Sequence, residues 1–429
     1  MAAFLVSSGA FWVGPEIAAS DFDGYVGAVV AQGVAYAAAV WIVITWRGGM
    51  AVLPILILGT AILIRLIAFA APHDGLTTDA YRYVWDARIQ LAGFNPYAFV
   101  PAAPDLASLR DGDIYPLINQ KERAVTIYPP IAQVVFTLGG LISDSVFGQK
   151  LVAALCELAT LALVLIWLRD LGLPRERVVI YAWHPLPVWE VVSQAHIDGA
   201  ATLFLMAAVV AVTRGRQSAG AALLALGAMT KVFPLVLVPA LWRRFAWRPV
   251  VAFAAVCCAA ALPYWLWGFP DLSGYLGTHL DMQGYGAGWG FHVVWMLRDF
   301  DLGDMSGRMY AAIAMAVLGA LALFMLFARG ADEVRPVSLV WLAAAFVWLT
   351  SPHYPWYFVF IVPLLAAHLS LPVAAMTVLA PVLYVTRPPG GPTWTELYAV
   401  VYWLPAALAL VALAIYIFTR ESSPPRGAQ

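Results

Sequence analysis

Asp79 stands in a polar run, TTDAYRYVWDARIQ, at residues 77–90. The run fits a helix over Asp79–Gln90. Thr77 or Thr78 can cap its start, Gly93 stops it, and Asn95-Pro96-Tyr97 turns the chain. On such a helix Asp79, Tyr83 and Asp86 share one face. Arg82 lies three residues after Asp79 and four before Asp86, so it can pair with either. A carboxylate just beyond an apolar span can act as a general base where a lipid-borne substrate meets water. The plainer alternative is a solvated amphipathic helix with Arg82 held in intrahelical ion pairs. Asp86 is the rival base. With Trp85 and Arg88 beside it, Asp86 also suits a structural or acceptor-contacting role, and Tyr83 and Arg82 join it as candidate acceptor or sugar contacts.

Other polar residues interrupt apolar stretches further along. Trp183-His184-Pro185 is followed by Glu190, Gln194, His196 and Asp198. Ionisable residues at membrane depth are expensive and point first to function. Glu190 reads better as a member of an inter-helix hydrogen-bond network, whereas His196 and Asp198 are candidate sugar or acceptor contacts at a loop. Lys231, one of three lysines, sits in AMTKVFPLVLVP at a turn between two short helices. Pro234 suits the first turn of the second. A lone lysine there suits a phosphate partner, with snorkelling toward headgroups as the alternative. In SPHYPWY, residues 351–357, His353 is expected to be exposed at a rigid aromatic turn and could donate to a phosphate oxygen. Trp356 could contact sugar or, with Tyr357, anchor the interface. Arg387 is a further candidate cation. His279, Asp281 and His292 do not have convincing metal spacing, and no metal site is expected. The cysteines Cys156, Cys257 and Cys258 read as buried thiols in apolar runs.

These residues hang on a very apolar chain. Of 429 residues 62% are hydrophobic and 11% charged, against about a quarter charged in soluble proteins. Net charge is −1, which gives no nucleic-acid signature. A membrane helix needs roughly 20 apolar residues. Apolar spans fall near 25–46, 50–70, 147–168, 178–195, 197–213, 218–242, 249–267, 309–328, 337–350, 356–387 and 397–419. The spans 218–242 and 356–387 are long enough to be pairs of short helices, and 126–143 suits a re-entrant or interfacial helix. Arginines gather at Arg47, Arg169/Arg175/Arg177, Arg214/Arg216, Arg243/Arg244/Arg248, Arg329/Arg335 and Arg420. If those connections are cytoplasmic, the loops at 72–130 and 268–308 and the polar helix ends share the opposite, extracytoplasmic face. The expected architecture is an all-α polytopic membrane protein. Residues 1–420 form a single domain and 421–429 a disordered cytoplasmic tail. Residues 1–20 lack a basic segment, so a cleaved signal peptide is not expected.

One aspartate and a few cations make a sufficient set for one reaction. An inverting transfer from a lipid-phosphate-linked sugar needs a base for the acceptor hydroxyl and positive charge at the departing phosphate. A glycosidase would instead need two carboxylates at defined separation. The loop TTDAYRYVWDARIQLAGFNPYAF…LRDGDIYPLIN…TIYPPIAQVVF resembles bacterial members of the GT-C glycosyltransferase superfamily. It looks most like polyprenyl-phosphate-mannose-dependent mannosyltransferases, including those of the phosphatidylinositol mannoside and lipomannan type. HPLPVWEVVSQAHIDGA, MTKVFPLVLVPALWRR and SPHYPWYF are similar to that group's helix-end motifs. The resemblance covers about residues 50–365. It implies a bundle of about 11–13 transmembrane helices, Asp79 as catalytic base, and a polyprenyl-phosphate donor, mannose-bearing by likeness, entering from the bilayer. It also implies a lipid or glycan acceptor, no cofactor, and a plasma-membrane enzyme with its site on the periplasmic side. Arabinose, glucose and aminoarabinose are used by related enzymes. A transporter or flippase of lipid-linked glycans is the alternative. It would place polar residues along a path through the bilayer rather than at one face.

Overall fold

The computed structural model describes residues 3–11, 21–46, 52–72, 76–242, 246–268, 270–328, 334–384 and 394–421. Among them every regular element is helical. Six helices are long and apolar enough to cross a membrane: Asp23–Thr45, Leu53–Ala70, Val146–Asp170, Trp247–Leu266, Gly307–Phe327 and Trp394–Ile415. Shorter apolar helices fill in between them. In lipid only helices satisfy every backbone polar group within one segment, so composition alone dictates this class. The chain is a polytopic helical membrane protein.

The long spans at 218–242 and 356–387 do resolve into pairs. Helix Gln217–Ala228 is followed by a turn and a helix over 233–241, and Pro355–Leu365 is followed by Leu371–Tyr384. The segment expected to cross at 178–195 is instead broken. It runs as Val179–Ala182, Pro185–Pro187 and a wide π-type stretch, Val188–Ser193. Pro185 and Pro187 each lack an N–H and cannot continue an α-helical ladder. π-Type turns are associated with functional positions, and this one delivers Glu190 into the interior. The 126–143 segment forms a 13-residue helix, Pro130–Ile142, too short to span, which packs on Asp79–Leu91.

Buried polar contacts hold the bundle. Arg65 donates from Nε to Glu157 Oε2 at 2.6 Å, with a second, parallel contact to Oε1, and from Nη1 to the Ala182 carbonyl at 2.7 Å. Lys150 Nζ donates to the carbonyls of Phe69 and Ala71 at 2.7 and 3.1 Å. It thereby caps the C-terminus of Leu53–Ala70, favourable both for its unpaired carbonyls and for the helix dipole. That cap fixes the chain immediately before the 72–130 loop.

Candidate active site

The helix Asp79–Leu91 begins as the sequence suggests. Thr78 occupies the N-cap position, but Thr77 supplies the oxygen: its Oγ accepts from Asp79 N at 3.2 Å. Gly93, with φ +88°, closes the other end in the left-handed region. The helix is nearly enclosed. Arg82 pairs with Asp86 (Nε–Oδ1 2.7 Å) rather than with Asp79, and donates from Nη1 to the Ala124 carbonyl. Gln133 donates to Asp86 Oδ2 at 3.0 Å and to Thr126 Oγ at 2.7 Å. Gln90 links Gln133 to the Tyr264 hydroxyl, and Asn95 donates to the carbonyls of Tyr264 and Trp267. Asp86 is 0% exposed. The acceptor-contacting role considered for Asp86 and Arg82 is therefore corrected: both charges face inward and bind the loop to its neighbours. Tyr83 is buried too, stacked on Phe136 at 4.4 Å with Tyr128 at its edge. It forms the wall behind Asp79 rather than an open sugar contact.

Asp79 keeps access to solvent, with a side chain 24% exposed. Desolvation pushes its carboxyl up to about 6, and Asp198 adds to the rise. The Lys231 charge and hydrogen bonding with Asn119 and Tyr128 oppose it. A value near 6 suits a base that must be ionised yet still accept a proton near neutrality.

Four chain segments converge on this carboxylate. His196 places Nδ1 4.0 Å from Asp79 Oδ2 and Nε2 3.5 Å from Glu190 Oε2. Tyr384 donates to Glu190 Oε2 at 2.6 Å, and its oxygen is 3.4 Å from His196 Nε2. Lys231 Nζ donates to Asp198 Oδ2 at 2.7 Å and lies 4.4 Å from the Tyr357 ring centroid. Lys231 retains 16% side-chain exposure, whereas Asp198 has none. The lysine turn is braced from the helix Pro130–Ile142, because Ile131 N donates to the Met229 carbonyl at 2.8 Å.

Some expected positions differ. His353 is buried, not exposed. It lies 3.0 Å from the Gly290 carbonyl through Nε2 and stacks on Tyr285 at 5.5 Å, so it braces the 268–308 loop. Trp356 is buried as well. It stacks on His196 at 4.0 Å and on Tyr354 at 4.4 Å, which leaves no open ring face for a sugar and removes it from the lipid interface. His196 and Asp198 are fully enclosed rather than at a loop surface. Arg387 lies outside the described residues. Sequence reasoning missed Asn119, Tyr128, Tyr354 and Tyr384, because tyrosines in apolar or proline-rich runs carry no spacing signal that separates a site wall from packing.

The family model for glycosyltransferase family 87 matches residues 126–352, a little over half of the chain. The match takes in Tyr128, Glu190, His196, Asp198 and Lys231; the Asp79 helix precedes it. No curated protein and no solved structure matches the chain. With the family shown, the chain is a multi-pass membrane protein of glycosyltransferase family 87.

Proposed function

We propose that the chain transfers a hexose from a polyprenyl-phosphate donor to a lipid or glycan hydroxyl, with Asp79 as general base. Mannose is the sugar favoured by the motif resemblance, and the periplasmic side of the plasma membrane is the face favoured by arginine placement. The observation that carries the reading is one cluster holding both required charges: a part-exposed carboxylate raised to about 6 and an ammonium group on Lys231. In the reaction the acceptor O–H bond breaks and its proton passes to Asp79. The oxygen attacks the anomeric carbon from the face opposite the phosphate. The C–O bond to phosphate breaks, its electron pair leaving with the phosphate, where Lys231 meets the charge. Arg387 is a secondary phosphate candidate in this scheme, and Tyr354 replaces Trp356 as the aromatic wall toward the sugar. Asp198 holds Lys231 in the ligand-free state, so donor phosphate shares or displaces that ion pair.

The direct test is purified full-length protein in detergent with synthetic polyprenyl-phosphate hexoses and an acceptor lipid extract, read by mass spectrometry. A hexose added to acceptor lipid is the expected product. No transfer from any of these donors would overturn the donor assignment.

Two predictions arise here. Because Asp79 must be ionised, kcat/KM is expected to be low in acid, to rise through a limb near pH 6 and to level off above it. A limb near pH 4, the ordinary carboxylate range, would mean that another group is the base. Lys231→Ala is expected to raise the donor KM roughly 10- to 100-fold, the equivalent of one charge-assisted hydrogen bond of about 1.5–3 kcal/mol. Acceptor KM should stay near wild type. An unchanged donor KM would remove the lysine from the phosphate site.

A further inference from the structure

His196 lies between two carboxylates, Asp79 on its Nδ1 side and Glu190 on its Nε2 side. None of the residue is exposed, and Nδ1 has no hydrogen-bond partner among the described residues. Buried polar atoms of this kind are uncommon and call for an explanation. The ring is not loosely placed. Trp356 stacks on it, the backbone N–H of His196 donates to the Glu190 carbonyl at 2.8 Å, and Ala195 before it holds φ +62°. A non-glycine residue in that region stores strain, which persists only where the surroundings enforce it. The 4.0 Å gap from Nδ1 to Asp79 is too long for a hydrogen bond. Catalytic hydrogen bonds are often long in ligand-free enzymes and tighten when substrate binds.

We propose that His196 is a positioning residue for Asp79, presenting an Nδ1–H that fixes one carboxylate oxygen and leaves the other free for the acceptor hydroxyl, while Glu190 and Tyr384 set its tautomer from the Nε2 side. The proposal rests on the reading of Asp79 as base. Tyr384 gives its single hydroxyl hydrogen to Glu190 Oε2 and so offers none to Nε2. With both side chains fully buried, the neutral forms are the ones favoured, so Glu190 carries a proton directed at Nε2 and a hydrogen stands on Nδ1. The opposite tautomer, with a bare Nδ1, would aim a lone pair at ionised Asp79. No proton need cross His196, because Asp79 is exposed enough to return its proton to water. The other groups around Asp79 are the paired Lys231 and Asp198 and the phenols of Tyr83, Tyr128, Tyr354, Tyr357 and Tyr384.

The test uses the full chain in lipid nanodiscs and two spectroscopic readouts that need no turnover. In wild type with ¹⁵N-labelled histidine, the His196 signal is assigned by its loss in His196→Asn. It is expected to show a protonated Nδ1 above pH 7, and a bare Nδ1 there would overturn the proposal. With ¹³C-carboxyl-labelled aspartate, Asp79 is assigned by its loss in Asp79→Asn, and its titration is followed with acceptor lipid extract bound and no donor present, because the Nδ1 contact is too long for a hydrogen bond in the ligand-free protein. Its titration midpoint is expected to rise by about one pH unit in His196→Gln, whose amide reaches the Nε2 position, because a carboxylate that loses a donor is harder to ionise. In His196→Asn, whose amide nitrogen sits near the Nδ1 position, the midpoint should stay near wild type. Equal midpoints in all three proteins, or an equal rise in both variants, would reduce His196 to packing. In turnover assays the acid limb should move with the midpoint, and kcat should fall about 10- to 100-fold in His196→Gln at nearly constant donor KM. A shifted Asp79 titration without any transfer by wild type would support the His196–Asp79 pairing and overturn the assigned reaction instead.

Discussion

Asp79→Asn is expected to lower kcat by about 10²–10⁴-fold, the range a positioned general base supplies, while making the protein more resistant to heat at neutral pH. The two effects share one cause. Burial lifts the Asp79 carboxyl from 3.8 to about 6. The folded state therefore resists ionisation more than the unfolded chain does. Protonated Asp79 costs nothing below about pH 4. The cost grows between about pH 4 and 6 and is complete above that, because there the unfolded chain gains more by ionising. Its size is on the order of 2–3 kcal/mol as an upper figure, since the side chain is partly open to water. An asparagine of the same shape removes the charge and this cost with it. Thermal unfolding in nanodiscs at pH 7.5 should thus show a higher midpoint for Asp79→Asn, and the difference should vanish below pH 4. A variant that turns over normally would show that Asp79 is not the base. A lower midpoint at pH 7.5 would show that its carboxylate is a structural anchor. Gains in stability on neutralising a site residue are the usual sign of a trade between activity and stability.

The largest loss of stability is expected from Glu157→Gln. Arg65 and Glu157 are matched in a bidentate pair with side chains 5% and 1% exposed. Removing one charge strands the other away from water, at about 3–5 kcal/mol. Arg65 still has the carbonyls of Ala61 and Ala182, which neutralise no charge. Replacing both partners by methionine removes the buried charges together and should recover most of the loss, because apolar replacement of a buried pair is often nearly neutral. Thermal midpoints of wild type, Glu157→Gln and the double variant decide this. A double variant no better than Glu157→Gln would mean that the pair specifies the packing of Leu53–Ala70 against Val146–Asp170, beyond compensating charge.

How much of this could be read along the chain follows from the range of each signal. The Asp79 helix was legible because its cap and its stop are local: Thr77 and Thr78 before it, Gly93 after it. The paired short helices were legible from span length, and in the first pair also from Pro234. The class, a polytopic helical membrane protein, followed from composition. The break at 178–195 was not foreseen as a break, although Pro185 and Pro187 mark it, because apolar content dominated the reading of that stretch. Arg65 and Glu157 were passed over. Each is a lone charge inside an apolar span, and the partners are 92 positions apart, so no spacing rule could join them. The aromatic turn at 351–357 misled in the opposite direction. Tryptophan and tyrosine near a helix end read as an interfacial belt, whereas here Trp356 is packed on both faces. Exposure is set by what the fold brings up against a ring, and that information is non-local. Arg82 had two possible partners by spacing, and tertiary contacts from Gln133 and Ala124 selected Asp86.

The 268–308 loop is keyed to the 72–130 loop through the backbone of Thr126. Gly274 holds φ +56°, and a β-carbon there would stand 1.9 Å from the Thr126 carbonyl oxygen, far inside contact distance. Tyr275 N donates to the same oxygen at 3.4 Å. Since backbone at Thr126 cannot yield as a flexible side chain would, any residue other than glycine must push the two loops apart. For protein engineering this makes position 274 a splice rule. A loop transplanted from a family relative to alter acceptor choice will seat only if it brings glycine to that point, whatever the rest of its sequence.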